Sequence, residues 1–336
     1  MNVLVTGGAG YIGSHVVAEL QAAGHQPVVF DNFSHSRPEV LQQLGQITGV
    51  KIPLVQADVR DYQAVLAALN IYRIEAVIHL AGLKVVGESL MEPLSYYEVN
   101  VHGTGVLMQA LEAAGVFHLV FSSSAAIYGK SDVLPVHESQ RANPSHPYGR
   151  SKWHAEQMLT DLAASNDRWH LVGLRYFNPV GCHPSVLIGE APSKVASNLM
   201  PAVARVAAGL QPEVAVFGQD YPTVDGTGVR DFIHVRDLAQ GHLAALSYLA
   251  HHPGWDVFNL GTGRGVSVLE LISAFERACG HSIAYRIASR RPGDIAASFA
   301  DVTKARQILG WVARHDLAAQ CASAWDWQRV LSAVSS

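Results

Sequence analysis

Near its amino terminus the chain reads Val3-Leu4-Val5-Thr6-Gly7-Gly8-Ala9-Gly10-Tyr11-Ile12-Gly13. The first four residues predict a buried strand, and the apolar spacing after the glycines predicts a helix. Gly7 and Gly10 allow the backbone to turn sharply and approach a pyrophosphate, while Gly13 allows the helix to pack close to the strand. Because a helix N-terminus attracts anions, this unit predicts a dinucleotide-binding loop rather than an ordinary tight turn.

The next predicted strand supports this interpretation. It covers Gln26–Phe30 and ends at Asp31, where the adenosine ribose of a dinucleotide would lie. A carboxylate there accepts hydrogen bonds from the ribose hydroxyls and repels a 2′-phosphate. The sequence therefore predicts NAD as the cofactor rather than NADP.

Strand and helix patterns alternate as far as Arg175. Further strands are predicted at 53–56, 76–80, 119–124 and 170–175. This alternation predicts an α/β fold with a doubly wound, parallel, Rossmann-type sheet, and an NAD-binding domain over residues 1–176. Because the alternation then stops, residues 177–336 are expected to form mainly a second, smaller α/β substrate domain. Segments near 230–260 are expected to return to the first domain.

A hydroxyl cluster and a Tyr-x-x-x-Lys pair supply the candidate chemistry. Ser124 closes one predicted strand, and Tyr148 and Lys152 stand one helical turn apart. The reference pKa of a phenol is near 10; a neighbouring ammonium lowers it, and a serine hydroxyl can hold the oxygen being deprotonated. Together the three side chains could move a proton on or off a carbinol. Alone the pair is a weak signal, since many such pairs lie on solvated helices.

Composition argues against other classes of partner. The 336 residues are 49% hydrophobic with a formal net charge of −4, which favours a globular protein and suggests neither nucleic acid nor a membrane as a partner. No apolar run reaches the ~18 residues of a membrane span. The three cysteines are far apart and are expected to be reduced thiols of a cytoplasmic protein. None of the 17 histidines stands in a ligand pattern, so no metal site is predicted.

Several strings resemble the extended short-chain dehydrogenase/reductase family. They are Thr6–Gly13, Ser122–Ser124 and Tyr148–Lys152. More narrowly, the chain resembles the branch whose members interconvert UDP-galactose and UDP-glucose through a 4-keto intermediate with bound NAD. The strings that carry this likeness are His79–Lys84, Leu174–Gly181, Asn198–Pro201, Gly226–Asp231 and Asn259–Gly261. The likeness extends over nearly the whole chain, to about Trp327.

The resemblance implies roles for individual residues. Tyr148 would be the base that takes the 4-hydroxyl proton, Ser124 would bond the same oxygen, and Lys152 would hold the nicotinamide ribose and tune Tyr148. The implied NAD-binding residues are Gly7, Gly10, Tyr11, Ile12, Gly13, Asp31, Asn32, Asp58, Val59, Leu80, Ala81, Gly82, Lys84, Asn100, Ser122, Tyr148, Lys152 and Phe177. The implied UDP-sugar-binding residues are Lys84, Ser124, Tyr148, Asn178, Asn198, Leu199, Phe217, Arg230, Arg291, Asp294 and Ser298. Arginines suit a diphosphate because they make paired, charge-assisted hydrogen bonds to its oxygens.

Outside the resemblance, the two arginines have plainer interpretations. Arg230 beside Asp231 could be half of a surface ion pair, and Arg291 could belong to a solvated basic run with Arg290. One departure concerns the cofactor. The family often has a second Asn where this chain has Val99, so one polar contact to NAD is expected to be missing.

Ser298 bears on the substrate range. Relatives restricted to plain hexoses carry a Tyr at this position, and its ring fills the space that an N-acetyl group at C2 would need. A small residue leaves that space open, which implies additional activity on UDP-N-acetylglucosamine and UDP-N-acetylgalactosamine unless nearby loops close it. An epimerase acting mainly on those UDP-N-acetylhexosamines is the second interpretation.

Other classes of function differ in what they require. A nucleotide-sugar 4,6-dehydratase needs a proton-exchanging pair after the Ser124 position, where this chain has Ala125 and Ala126. A redox-sensing NAD-binding module would have little use for a complete catalytic set.

The resemblance also implies a homodimer, built from the helices around 93–112 and 148–164 and packed as a four-helix bundle.

Overall fold

The structure is a computed structural model that describes residues 1–131, 133–190, 198–291 and 293–335. Its strands are β1 (Asn2–Thr6), β2 (Gln26–Phe30), β3 (Leu54–Val55), β4 (Ala76–His79), β5 (His118–Ser124), β6 (His170–Tyr176), β7 (Asn178–Val180), β8 (Val214–Phe217), β9 (Val229–Arg230), β10 (Phe232–His234), β11 (Gly254–Leu260), β12 (Val266–Ser267), β13 (Tyr285–Ala288) and β14 (Ala297–Ser298). Its helices are α1 (Tyr11–Ala22), α2 (Glu39–Thr48), α3 (Tyr62–Ile71), α4 (Val86–Met91), α5 (Pro93–Tyr97), α6 (Gly103–Ala114), α7 (Pro147–Ser165), α8 (Leu199–Ala207), α9 (Val235–Leu249), α10 (Val268–Cys279), α11 (Thr303–Ile308) and α12 (Leu317–Ser335). A π-helical turn (Glu98–His102) joins α5 to α6, and a 3₁₀ turn (Ala125–Ile127) follows β5.

Seven strands form the main sheet, in the order β11-β6-β5-β4-β1-β2-β3. Every neighbouring pair runs parallel. Because helices cover both faces of such a sheet, its strands are apolar on both sides, and β-branched residues pack well on the pleated surface. The doubly wound parallel fold predicted from the sequence is confirmed.

Two helical layers bury the sheet. On one face α1 packs against α2 and α9, with Val16, Val17 and Leu20 of α1 fully buried. On the other face lie α3, α6 and α7, where Leu107 and Leu111 are fully buried. Complete burial of one such side chain contributes about 1.5–3 kcal/mol, so these layers hold the strand ends in place.

A separate apolar cluster joins α8, α10 and α12 with β8, which pairs with β13. Leu271 and Phe275 of α10 are fully buried in it. The helix begins with a capping box, in which the Ser267 hydroxyl accepts a hydrogen bond from the Glu270 nitrogen at 3.0 Å and the Glu270 carboxylate accepts one from the Ser267 nitrogen. Ser267 is therefore the N-cap of α10, and such a cap contributes about 1 kcal/mol.

Membrane spans and metal clusters are absent from the part of the chain that the structure describes. No helix there is both long and apolar enough to cross a membrane. No three side chains of His, Cys, Asp or Glu come close enough there to hold a metal ion. Cys182, Cys279 and Cys321 are free thiols, two of them buried.

Candidate active site

The residues predicted to bind the cofactor collect at the carboxyl edge of the main sheet. They are Gly7–Gly13 after β1, Asp31 and Asn32 after β2, Asp58 and Val59 after β3, Leu80–Lys84 after β4, Ser122 at the end of β5, and Phe177 after β6. Asn100 reaches the same edge from the π-helical turn, and Tyr148 and Lys152 from α7. This edge is where open α/β sheets bind their ligands.

The glycine loop has no room for side chains at its tightest points. A Cβ on Gly7 would lie 2.8 Å from the Ala81 nitrogen, and one on Gly13 would lie 2.1 Å from the Gly7 oxygen. Gly7 also has a φ of +69°, which glycine adopts without strain. The N-cap of α1 is Gly10, so bare backbone stands before the helix. Bare backbone at a helix N-terminus fits the pyrophosphate of a dinucleotide.

Asp31 ties the glycine loop to the end of β2. Its carboxylate accepts hydrogen bonds from the Ala9 nitrogen at 3.0 Å, the Phe33 nitrogen at 2.9 Å and the Ser36 hydroxyl at 2.8 Å. A carboxylate offers about four acceptor positions, so one remains for a ribose hydroxyl. The sequence predicts a contact of Asp31 with the ribose only, and gives no sign that Asp31 also braces the loop.

Asn32 and Asp58 meet beside the same edge. The Asn32 amide donates to Asp58 Oδ2 at 2.9 Å, and Arg60 donates to both carboxylate oxygens at 2.8 Å. The Arg60 guanidinium holds the pKa of Asp58 well below its usual range. The resemblance implies no role for Arg60, yet this residue keeps Asp58 charged and oriented.

Asn100 joins the turn after β4 to α7. Its Oδ1 accepts from the Leu83 nitrogen at 2.8 Å, and its Nδ2 donates to the Leu83 oxygen at 3.0 Å and to the Ser151 hydroxyl at 2.9 Å. A Cβ on Gly82 would lie 2.9 Å from Asn100 Oδ1 and 3.4 Å from Lys152 Nζ. Both amide protons of Asn100 are therefore used inside the protein, which leaves one Oδ1 lone pair for the predicted contact with the cofactor.

Lys152 meets the end of β5. Its ammonium donates to the Ser122 carbonyl at 2.8 Å and lies 5.0 Å from the centroid of the Phe121 ring. Burial lowers the pKa of Lys152 to about 8, and the Glu156 carboxylate, one turn further along α7, opposes that shift. The ammonium is therefore charged at neutral pH and can attract an anion that forms beside it.

Tyr148 reaches Ser124 at the same strand end. Burial raises the pKa of the Tyr148 phenol, and a hydrogen bond with the Ser124 side chain opposes the rise. The Ser124 hydroxyl also accepts from the Ala126 nitrogen at 3.1 Å, which fixes the oxygen that meets the phenol. The structure thus brings together the three side chains predicted for proton transfer. Burial disfavours the phenolate of Tyr148, and the Ser124 hydrogen bond favours it.

Two rings with no predicted role at the site pack on Tyr148. The His146 ring stacks on it with centroids 6.0 Å apart and planes at 3°, and the Tyr96 ring meets it edge-on at 6.4 Å. His146 is also the N-cap of α7, since its ring nitrogen accepts from the Gly149 nitrogen at 3.1 Å. The available signal was its place before Pro147, a residue that favours the first helical position.

Arg230 pairs with Asp294 rather than with its neighbour Asp231. Arg230 Nη2 lies 3.7 Å from Asp294 Oδ1. Asp231 is fully buried, and its carboxylate accepts three backbone N–H hydrogen bonds from other segments. Its carbonyl accepts the Asn178 side-chain amide at 2.8 Å. The interpretation of Arg230 and Asp231 as a surface ion pair is therefore wrong.

Arg291 and Phe217, both predicted to hold the nucleotide, stack on each other. The guanidinium carbon lies 3.9 Å from the centroid of the Phe217 ring. The neighbouring Arg290 lies 4.0 Å over the Tyr221 ring. Each arginine therefore has an aromatic partner, which a merely solvated basic run would not provide.

Glu190 contacts residues from the predicted NAD-binding group and from the predicted UDP-sugar-binding group. Its carboxylate lies 3.4 Å from Lys84 Nζ and accepts from Asn198 Nδ2 at 3.2 Å. Asn198 stands directly before α8, whose first residue is Leu199. The Tyr11 hydroxyl donates to the Gly181 oxygen at 2.7 Å. Lys84, predicted to contact the cofactor, and Asn198, predicted to contact the substrate, therefore share Glu190 as a partner.

Ser298 lies beside Arg230 on neighbouring strands. β14 pairs in parallel with β9, with Ser298 opposite Arg230. The backbone oxygen of Ser298 accepts a hydrogen bond from the Asp231 nitrogen at 3.1 Å. Ser298 is partly buried. A hydroxymethyl group at this position fills less space beside Arg230 than an aromatic ring would.

The fold and this edge define a class of protein. Residues 3–261 match the NAD dependent epimerase/dehydratase family. The chain belongs to that family and is an isomerase that uses NAD. Within the family it is similar to UDP-glucose 4-epimerases. The one from Bacillus subtilis is 51% identical over 328 residues, which cover 98% of this chain and 97% of that protein.

Two solved structures are similar over almost the whole chain. The UDP-glucose-4-epimerase from Stenotrophomonas maltophila, with bound NAD and formylated UDP-arabinopyranose, has a TM-score of 0.98 and 53% identity and covers 99% of each chain. The UDP-glucose 4-epimerase from Bifidobacterium longum, in complex with NAD+ and UDP, has a TM-score of 0.94 and 46% identity and covers 98% of each chain. The family recognised from the sequence and its NAD cofactor are confirmed.

Proposed function

We propose that this protein is a UDP-glucose 4-epimerase, which interconverts UDP-galactose and UDP-glucose. The observation that carries the proposal is the meeting of Tyr148, Ser124 and Lys152 at the sheet edge that also bears the glycine loop. Similarity to the Bacillus subtilis enzyme over almost its full length supports it. The test is to incubate the protein with either UDP-hexose and follow the anomeric signals by NMR. Both incubations should reach the same mixture, and failure to form UDP-glucose from UDP-galactose would end the proposal.

In this reaction Tyr148 and Ser124 handle the proton of the substrate 4-hydroxyl. Ser124 holds the oxygen, and Tyr148 accepts the proton as a phenolate and later returns it. Lys152, charged at neutral pH, stabilises the phenolate. The glycine loop, Asp31 and Lys152 would hold NAD, which when bound supplies the hydride acceptor and donor for sugar carbon 4.

The proposal gives the UDP part of the substrate to a second group of residues. They are Asn178, Asn198, Leu199, Phe217, Arg230, Arg291 and Asp294. Arg230 and Arg291 offer planar arrays of donors that match diphosphate oxygens. Because Arg291 already stacks on Phe217, less side-chain entropy is lost when a ligand binds to it. Asp294 holds Arg230 beside the site at 3.7 Å.

We extend the proposal to N-acetylated substrates because of Ser298. Its small side chain on β14, opposite Arg230, leaves space for an N-acetyl group at C2. An aromatic ring in that space would cost on the order of 1–3 kcal/mol or more, and each ~1.4 kcal/mol is tenfold in specificity. UDP-N-acetylgalactosamine and UDP-galactose are therefore expected to turn over at comparable rates.

The variant Ser298→Tyr tests this extension. It should abolish turnover of the N-acetylated pair and leave that of the plain hexoses within a few-fold, as measured by NMR on both substrates. Ser298→Ala, which keeps the space open, is the matched control and should keep both activities. Wild-type protein that converts UDP-galactose and not UDP-N-acetylgalactosamine would show that the pocket is closed.

A nucleotide-sugar 4,6-dehydratase remains the alternative within the family. Such an enzyme needs groups that exchange protons near C5 and C6 of the sugar. After Ser124 this chain has the 3₁₀ turn Ala125–Ile127, whose side chains exchange no protons. The two reactions differ in their products, since a dehydratase forms a 4-keto-6-deoxy sugar that the same NMR spectra would reveal.

The quaternary and domain arrangement belongs to the same proposal. Helices α5, α6 and α7 pack side by side, and Leu94 on α5 is 82% exposed, which suits a homodimer through these helices. Light scattering should give twice the mass of one chain, and a monomer would contradict it.

The division into an NAD domain over 1–176 and a UDP-sugar domain over 177–336 is part of the same proposal. Three free cysteines suit a location in the cytoplasm.

A further inference from the structure

Glu156 lies one turn beyond Lys152 on α7, so Tyr148, Lys152 and Glu156 share one face of the helix. Its side chain is only 1% exposed. Its Oε1 accepts from Arg175 Nε at 3.0 Å and its Oε2 from Arg175 Nη2 at 2.6 Å. Oε1 also accepts a hydrogen bond from the Ser123 hydroxyl. Both oxygens of this buried carboxylate are therefore engaged, one of them twice.

The partners of Glu156 lie opposite each other on two strands. Ser123 on β5 is in register with Arg175 on β6, and both side chains reach the same carboxylate under α7. The remaining nitrogen of Arg175, Nη1, donates to the Tyr128 hydroxyl at 3.0 Å and to the backbone oxygen of Glu138 at 2.9 Å. Arg175 is therefore held on all sides, and Glu156 is anchored to a fixed point of the sheet.

Three successive turns of α7 thus contact three successive residues of β5. Tyr148 meets the Ser124 hydroxyl, Lys152 meets the Ser122 carbonyl, and Glu156 meets the Ser123 hydroxyl. The first two contacts carry the proton-transfer groups. The third is buried beneath them and sets how the helix lies on the strand.

We propose that Glu156 is a positioning residue for proton transfer, which through Ser123 and Arg175 fixes the end of β5 on which Tyr148 and Lys152 act. This inference rests on the proposed function. Glu156 does not touch the substrate; it acts through the geometry of β5 and through its negative charge near Lys152. Loss of the geometry lowers kcat, and loss of the charge makes the ammonium easier to deprotonate.

Few charges other than Glu156 act on Lys152. The titratable groups on elements packed around this face include Tyr96 on α5, His79 on β4, Tyr128 after the 3₁₀ turn, and Arg175 and Tyr176 on β6. Burial raises the pKa of Tyr96, Tyr128 and Tyr176, so these three tyrosines are neutral near pH 7. Burial, with the Lys152 charge, lowers the pKa of His79 to about 3, so it is neutral too. Arg175 is positive, and removing the Glu156 charge would leave it to disfavour the Lys152 ammonium further.

The experiment compares three variants of the holoenzyme with wild type. Ser123→Ala removes the link to β5 and keeps both charges of the Glu156–Arg175 pair. Glu156→Gln keeps the shape of the side chain and removes its charge. Glu138→Gln serves as the control, because it changes a carboxylate whose partner is the Asn259 nitrogen and keeps the Glu138 backbone oxygen that Arg175 contacts. For each, kcat and KM for UDP-galactose are measured from pH 6 to 10, together with bound NAD and the melting temperature.

Ser123→Ala and Glu156→Gln should differ from each other in a way that a purely structural role would not produce. Ser123→Ala should lower kcat about ten- to a hundredfold with little change in KM, because small displacements of reacting groups cost that much. Glu156→Gln should in addition move the basic limb of the kcat profile about one unit to lower pH, the shift expected from loss of one nearby charge. Glu138→Gln should leave the limb in place.

Two outcomes would overturn the inference. One is a Ser123→Ala variant with wild-type kcat, which decides the matter even if Glu156→Gln fails to fold. The other is a folded Glu156→Gln variant whose pH profile superimposes on that of wild type. Wild-type protein without epimerase activity would instead overturn the proposed function, and this inference with it.

Discussion

Tyr148 is held by rings that do not depend on its hydroxyl. The His146 and Tyr96 rings pack on it, so Tyr148→Phe should fold with the same aromatic contacts. Because a placed base contributes about 10²- to 10⁴-fold, kcat for UDP-galactose is expected to fall by that factor with the melting temperature unchanged. Steady-state kinetics check this. The control is Tyr97→Phe, which changes the tyrosine next to Tyr96 on α5 and should stay active. Near-normal turnover by Tyr148→Phe would place the base elsewhere.

The choice of NAD over NADP is assigned to the charge of Asp31. Asp31→Asn keeps an oxygen that can accept from the Ala9 nitrogen, so the glycine loop should keep its shape. The repulsion of a 2′-phosphate disappears, and the ratio of the two dissociation constants should move toward NADP by at least about tenfold. Titration of NAD-free protein with both dinucleotides measures the ratio. An unchanged ratio of dissociation constants would show that Asp31 does not contact the ribose.

At the scale of elements, His79 links two strands and a helix. Its Nδ1 lies 2.7 Å from the Thr6 hydroxyl on β1, and its Nε2 lies 3.0 Å from the Thr104 hydroxyl on α6. Burial lowers its pKa to about 3, with the Lys152 charge contributing. The neutral ring therefore joins the strand that begins the cofactor loop to the helix that follows Asn100.

This joint predicts a loss of stability in mild acid. The pKa of His79 is lower in the folded state than the ~6.5 of an unfolded histidine, so the unfolded state binds protons first as the pH falls. Stability from this group is complete above about pH 6.5 and is lost below it, by about 1 kcal/mol between pH 6.5 and 5.5. Urea unfolding at several pH values measures the slope. His79→Gln should make this slope shallower, and exposed His251→Gln should leave it unchanged; equal slopes for the two variants would contradict the assignment.

The short strands show where sequence patterns stop at this scale. β9, β12 and β14 have two residues each, too few to display any period, and exist because they pair with one another. Long elements such as β5 and α10 were predictable, because their apolar spacing and the cap at Ser267 lie in consecutive residues. The same pairing places Ser298 beside Arg230, a proximity that sequence spacing alone would not reveal.

At the scale of the whole molecule, the sheet and its cofactor edge were predictable from local signals. The glycine loop, the alternation of strands and helices and the spacing of Tyr148 and Lys152 all lie in short stretches of sequence. The buried contacts of Glu156 and Asp231 were not, since their partners lie on other elements and hydrogen bonds of this kind leave no local pattern. The arginine partners were missed for the same reason: Arg230 binds Asp294, not the adjacent Asp231.

The central claim is that the hydrogen removed from carbon 4 returns to carbon 4 within one active site, while Tyr148 carries the proton. The most direct measurement uses UDP-galactose labelled with deuterium at carbon 4, purified protein and no added NAD, followed by NMR and by absorbance at the NADH band. We expect UDP-glucose that keeps its deuterium at carbon 4, with no NADH accumulating in proportion to turnover. Deuterium lost to water, or NADH formed in step with product, would contradict the account.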